Sequence, residues 1–334
     1  MNRFSYARAS AVAQAIDQHR ANATAAFIAG GTNLVDLLRE DVARPAVLVD
    51  INRLPLKSID ATPNGGLKIG ALVTNSAVAY DDTVVMRYPL LAQAILAGAS
   101  AQIRNVATVG GNLLQRTRCH YFYDAGTPCN KRDPGTGCPA KEGINRIHAI
   151  LGASDQCIAV HPSDMCVALA ALDATVHLSG TDGTRTLPFA DFHRLPGDTP
   201  HIDSNLRADE LVTAIELPEE GFAAHHAYVK VRDRASYAFA LVSAAVGVEL
   251  DGDMIVDAHC ALGGVAHKPW RDPEAETLLR GEPLNAATVR GFAQALLRGA
   301  QGRRGNAFKI ELAARVIMRA FELATQRSLE EVAP

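Results

Sequence analysis

Five of the six cysteines fall between Cys119 and Cys166. Three of them sit in one turn-rich stretch, RTRCHYFYDAGTPCNKRDPGTGCPA, which runs from Arg116 to Ala140. That stretch also carries three glycines and three prolines, with little apolar periodicity. A disulfide framework belongs more often to a short secreted chain. In a chain of 334 residues, dense local cysteine points to a metal or an iron–sulfur cluster. Cys119, Cys129, Cys138 and Cys157 are separated by 9, 8 and 18 residues. No C-x2-C pair occurs, so neither a ferredoxin run nor a common zinc ribbon is present. Ligands spaced so widely need a loop that folds around the metal, and Pro128, Pro134, Gly135, Gly137 and Pro139 supply the turns. Tyr121, Phe122 and Tyr123 are placed to shield such a centre from water. A structural zinc site is the alternative, with unligated thiols a third reading. Cys166 lies inside a helical pattern and Cys260 in a strand pattern; both read as small apolar core residues. His120 and His161 are spare nitrogen donors.

Elsewhere the chain is ordinary. Apolar residues make up 48%, enough for a substantial core, and the length fits one or two domains. The formal net charge of −3 and the lack of a basic block argue against nucleic acid or a charged membrane surface as the main partner. No apolar run reaches the length of a membrane span. The start, MNRFSYARAS, lacks the apolar core of a secretory signal, so no export address is expected within this chain. Helix and strand signals alternate: a helix after Ser10 as cap, a strand in TAAFIAGG, a helix in NLVDLLRED and a strand in PAVLVDI. LKSIDATPNGGLKIGALV and TVHLSGTDGTRTLPF read as hairpins. SAVAYDDTVVMRYPLLAQAILAGAS is mostly helical, and Ser163 is placed to cap the helix SDMCVALAALDA. Residues 115–158 are the least regular part. A boundary falls at ELPEEGFAAHH. Beyond it, two long strands turn at Asp-Gly, and the remainder is helical. The mixture predicts an α+β fold with a small sheet and a helix cluster at the C-terminal end.

Two glycine turns carry a further signal. FIAGGTNLVDLL runs a strand into Gly30-Gly31 and then a helix. IRNVATVGGNLLQ repeats the theme with Thr108, Gly110, Gly111 and Asn112. Glycine lets backbone N–H groups approach phosphate oxygens closely. Neither turn is a G-x-G-x-x-G fingerprint or a P-loop. Alone, each is equally well a tight strand-to-helix turn. Two in one domain suggest a diphosphate clasped from two sides. In HPSDM, Ser163 and Asp164 open a helix; Asp164 is a candidate for ribose hydroxyls or simply a helix-start residue.

AGGTNL, IRNVATVGGNL, HPSDM and ALGGVAHKPWR, in this order, resemble the FAD-binding subunit of the molybdenum hydroxylases, the xanthine dehydrogenase and aldehyde oxidase family. The resemblance covers nearly the whole chain. It implies a PCMH/VAO-type FAD-binding domain of two α+β subdomains over residues 1–220. It also implies a domain over 221–334 with a three-stranded antiparallel sheet and a helix bundle. The family's first glycine loop corresponds to Ile28, Ala29, Gly30, Gly31, Thr32, Asn33 and Leu34. Thr108, Gly111, Asn112, Ser163 and Asp164 match further FAD contacts. Ile215 and Lys230 match positions on the isoalloxazine side; for Lys230 the residue-level alternative is a solvated lysine on a strand.

The segment 115–158 is an insertion relative to most such subunits. QRTRCHYFYD, PCNKR, GCPA and CIAVHPSD are similar to the flavin subunits of periplasmic aldehyde oxidoreductases, where this insertion holds a [4Fe–4S] cluster. The resemblance implies that Cys119, Cys129, Cys138 and Cys157 ligate it. It implies an electron-transfer subunit that works with a molybdenum-cofactor large subunit and a [2Fe–2S] small subunit in a heterotrimer. The external acceptor would be oxygen, a quinone or ferredoxin. No substrate acid/base pair stands out, in keeping with a relay that has no catalytic residue of its own. Location follows from export with a signal-bearing partner to the periplasm, or else the cytoplasm. Two rivals are a self-sufficient FAD oxidase, for which His225 and His226 are weak candidate bases, and a non-enzymatic metal-stapled scaffold.

Overall fold

The computed structural model describes residues 1–219 and 221–329. Its N-terminal layer is a parallel sheet of β1 (Ser5–Arg8), β2 (Ala25–Ile28) and β3 (Val47–Asp50), in the order β1-β3-β2. Parallel neighbours need crossovers, and helices Val12–Arg20 and Leu34–Arg39 provide them. Strand β1 has no apolar alternation to announce it; it is an edge strand whose Arg8 Nε donates to Asp50 on β3 at 2.9 Å. The expected cap by Ser10 is not made. Ala11 holds the cap position without a side-chain bond, and Gln14 Oε1 reaches back to accept from the Ser10 N–H at 2.8 Å.

A five-stranded antiparallel sheet follows. It comprises β4 (Ile59–Ala61), β5 (Leu67–Gly70), β6 (Thr175–Gly180), β7 (Gly183–Pro188) and β8 (Leu211–Leu217), in the order β4-β5-β8-β6-β7. The two hairpins stand where the turn residues place them. Strand β8 returns to join them, so Ile215 lies between Ile69 and Val176. Helix Asp164–Ala171 is apolar on every face from Met165 onward and correspondingly buried. It shares a core with Leu90, Leu91 and Ile95 of helix Pro89–Ala97 and with Ile69, Val176 and Ile215 of the sheet. Ser163 caps it, accepting from the Cys166 N–H at 3.0 Å.

The C-terminal unit is an antiparallel sheet of β9 (His226–Val231), β10 (Val242–Asp251) and β11 (Met254–Gly263), with β10 central. Gly252 makes the β10–β11 turn at a φ of +61°. Helices Ala286–Leu296 and Phe308–Thr325 cover the sheet, and Phe292, Ile317 and Phe321 interlock with Val242, Val246 and Ile255. The fold is thus α+β in all its parts. Between the two glycine-loop regions and helix Asp164–Ala171, residues 115–158 hold only the short helix His120–Tyr123 and a 3-10 turn, Pro139–Lys141. Among the described residues, no helix is long and apolar enough to cross a membrane.

Candidate functional site: a flavin cleft and a cysteine pocket

The two glycine turns meet. A Cβ on Gly30 would stand 2.0 Å from the Val106 carbonyl oxygen, so the first loop lies directly against the start of the second. Gly31 takes a φ of +71°, which favours glycine. Thr108 caps the short helix Val109–Leu113, accepting from the Gly111 N–H at 3.3 Å. Asn112 is then locked to the next element: Ser163 Oγ donates to its Oδ1 at 2.5 Å, and Gln115 Nε2 donates to the same oxygen at 2.7 Å. Asn33 Oδ1 accepts from the Arg116 N–H at 2.9 Å, tying the first loop to the root of the insertion.

These contacts surround a cleft of about 640 Å³, within the usual range of cofactor sites. Of the residues that the family resemblance marks, Thr32, Asn33, Gly111, Asn112, Ser163, Asp164 and Lys230 line it. Gly30, Gly31, Ile28, Ala29, Leu34 and Thr108 shape the loops behind that surface. Ile215 does not reach the cleft: it is fully buried inside the five-stranded sheet. His225 and His226 do not line the cleft either, and His226 Nδ1 donates to the Ala223 carbonyl at 3.1 Å. Lys230 is no solvated strand lysine. Its ammonium donates to Asp164 Oδ2 at 2.8 Å and to the Ala97 carbonyl at 3.0 Å. Tyr228 OH completes the carboxylate, donating to Oδ1 at 2.6 Å, and burial with Asp164 beside it drives that phenol well above its ordinary pKa.

Several cleft residues come from segments with no regular pattern. Arg118 and Phe239 face each other at 5.0 Å. Tyr237 and Phe239, both exposed, hang on the loop between β9 and β10; a pair of aromatics in RASYAFA between two strands was the available signal. Gly264, in ALGGVA, has a φ of +72°, and a Cβ there would meet the Ala240 and Leu241 carbonyls at 2.8 Å. The buried Nδ2 of Asn33 and the buried side-chain Oδ1 of Asn75 have no hydrogen-bond partner among the described residues. Unpaired buried polar atoms on the wall of a cleft, between loops that glycine holds close, are the donor and acceptor set that a nucleotide cofactor satisfies. The residues present fit FAD.

The second site is smaller. Cys119, Cys129, Cys138 and Cys157 all line one pocket, together with Phe122, Lys131, His148 and Ile158. All six cysteines are free. The other two are elsewhere: Cys166 packs in the core of the five-stranded sheet and Cys260 in that of the C-terminal sheet. Burial, with Cys129 and Cys157 close by, pushes the Cys119 thiol up to about 12. Burial likewise pushes Cys157 up to about 11, against the pull of Lys131. Burial raises the Cys138 thiol as well. Thiols raised in this way are costly to ionise unless a cation sits among them, and a bound metal or cluster deprotonates them outright. The pocket fits a four-thiolate centre.

What holds the pocket is a set of side-chain-to-backbone bonds. Arg132 donates to the carbonyls of Tyr121 and Phe122 at 3.0 and 2.8 Å, and also to that of Thr127. Asn130 accepts from the Gly137 N–H at 2.7 Å and donates to the Gln156 carbonyl at 3.0 Å. Gly135 and Gly137 adopt positive φ. Lys131 is 2% exposed. Its ammonium donates to the Pro200 carbonyl at 2.9 Å, to His267 Nε2 at 2.6 Å and to Asp203. Burial alone would raise the Asp203 carboxyl; Lys131, Arg116 and His267 hold it below its ordinary value. His148 Nε2 lies 3.1 Å from Cys119 Sγ, and burial, with Lys309 and His120 adding to it, draws this imidazole down to about 4.

Comparison with known proteins bears on the fold and the flavin cleft. Residues 2–220 match the FAD binding domain in molybdopterin dehydrogenase, and residues 226–324 match the CO dehydrogenase flavoprotein C-terminal domain. The chain is 48% identical over 318 residues, 95% of its length and 96% of the relative's, to the aldehyde oxidoreductase FAD-binding subunit PaoB of Escherichia coli K12. It is 30% identical to the glyceraldehyde dehydrogenase medium chain of Sulfolobus acidocaldarius, over 87% of this chain and 85% of that one. A solved carbon monoxide dehydrogenase from Hydrogenophaga pseudoflava superposes with a TM-score of 0.76 at 25% identity, covering 98% of each chain. The chain belongs to the FAD-binding subunits of the molybdenum hydroxylase family, as an oxidoreductase subunit.

Proposed function

We propose that this chain is the electron-relay subunit of a molybdenum-dependent aldehyde oxidoreductase, with FAD in the cleft and a [4Fe–4S] cluster on Cys119, Cys129, Cys138 and Cys157. FAD accepts electrons in pairs and releases them singly, while an iron–sulfur cluster carries them one at a time. The residues of this chain do the holding. The Gly30–Gly31 and Gly110–Gly111 turns bring Thr32, Asn33, Gly111 and Asn112 to the cleft wall, where a diphosphate would lie, and Lys230 and Asp164 form a fixed ion pair on the same wall. Its partners are a molybdenum-cofactor large subunit and a [2Fe–2S] small subunit in a heterotrimer. The acceptor is oxygen, a quinone or ferredoxin. The compartment is the periplasm, reached folded with a signal-bearing partner, rather than the cytoplasm.

One observation carries the cluster reading: four cysteines scattered over the least regular segment converge on a single pocket, while the other two pack in separate cores. The test is chemical analysis of protein purified without oxygen. One FAD, four irons and four sulfides per chain are expected. Cys138→Ser should lose the iron, and Cys166→Ser should keep it. Zinc in place of iron, or four irons retained in Cys138→Ser, overturns the assignment.

A further inference from the structure

The flavin cleft and the cysteine pocket have a wall in common. Cys119 and His148 are the two residues that line both. His148 is 1% exposed. Its backbone carbonyl accepts from Lys309 Nζ at 2.8 Å and from Asn306 Nδ2 at 3.2 Å, so the C-terminal unit fixes its position. Its Nε2 stands 3.1 Å from Cys119 Sγ, and its Nδ1 has no partner among the described residues. A neutral imidazole carries one N–H. A metal-bound thiolate sulfur can only accept, so the contact places that hydrogen on Nε2 and leaves Nδ1 as a bare acceptor.

We propose that His148 is a positioning residue on the wall between the two redox sites that tunes the cluster side, donating its Nε2–H to the Cys119 sulfur. The inference rests on the [4Fe–4S] reading of the cysteine pocket. A hydrogen bond to a ligand sulfur favours the more negative, reduced cluster, so it raises the reduction potential. The other three ligands have no histidine contact among the described hydrogen bonds, and the effect is specific to the ligand nearest the cleft.

The experiment is a redox titration of the holoprotein, read by EPR, for the native chain, His148→Leu and His148→Gln. With four irons retained, the leucine variant should titrate at a more negative potential, and glutamine, which keeps an N–H, should recover much of the shift. The flavin potential should stay put. In native protein carrying imidazole-15N histidine, pulsed EPR of the reduced cluster should show a weak nitrogen coupling from the label. An unchanged potential in iron-replete His148→Leu overturns the inference alone. If leucine instead costs the protein its iron, absence of the labelled coupling in the native protein overturns it. A native protein with no iron overturns the cluster reading, and this inference with it.

Discussion

At the scale of single residues, the glycines divide by what stands opposite them. Gly30 is needed because the Val106 carbonyl occupies the place of a side chain; Gly111 faces only the Thr108 hydroxyl at 3.1 Å. Gly30→Ala should therefore force the two loops apart, costing about 1–3 kcal/mol as an overpacked site does, and should release FAD. Flavin content after gel filtration and the thermal midpoint measure both effects. Gly111→Ala should leave the thermal midpoint close to native. Sequence reading finds both glycines because each sits in a small polar stretch ahead of an apolar run, but Gly30 follows a strand whereas Gly111 lies inside the short helix Val109–Leu113, and that distinction is tertiary. The same limit explains His148 and Arg118. Each is an isolated polar residue in an irregular stretch, and only the folded chain brings it to a wall.

Among elements, the insertion is the one without a ladder. Its stability rests on Arg132, whose guanidinium satisfies the carbonyls of Tyr121, Phe122 and Thr127. Arg132→Ala strands those acceptors at about 1–3 kcal/mol in all. Limited proteolysis should then cut within residues 119–157 while β10 and β11 stay intact, and iron retention should fall. Cutting spread evenly over the chain would count against an independent local unit. The regular elements were legible from pattern alone: both hairpins, the two long strands about Gly252, and the helix that Ser163 caps. Strand β1 was not, because an exposed edge strand has no alternation to show. Nor was the path of β8, since nothing in LVTAIELP says that it lies between two hairpins made elsewhere. Ile215 illustrates the consequence: a residue placed on the cofactor side by family likeness is enclosed by that sheet.

For the whole molecule, buried titratable groups set a stability profile with pH. His148, His193 and His267 are each held at about 4, chiefly by burial, against an ordinary 6.5. Between those values the unfolded chain binds more protons, so stability is lost as pH falls from 6.5 toward 4. Lys309 is fully buried between backbone carbonyls and burial draws it to about 7 from 10.5. Here too the unfolded chain binds the extra proton, so stability rises from pH 7 upward. In metal-free protein the buried thiols of Cys119 and Cys157 act the other way above pH 9, where the folded chain keeps protons that the unfolded one has lost. Urea midpoints should thus climb from pH 4 to 6.5 and from 7 to 9, then decline. Lys309→Met should flatten the limb between 7 and 9; an unaltered limb would exclude that lysine as its source. The cysteine pocket has a consequence of a different kind, for biogenesis. Cys119, Cys129 and Cys157 are buried, and Cys138 alone is partly open, while Lys131 bolts the segment to the Pro200–Asp203 loop. A cluster proposed for a cage closed in this way would have to enter as the polypeptide matures, before that bolt is set. On the cluster reading proposed above, iron delivery and chain folding would belong to one event in the compartment of synthesis, and any journey across a membrane would begin with the cargo already aboard.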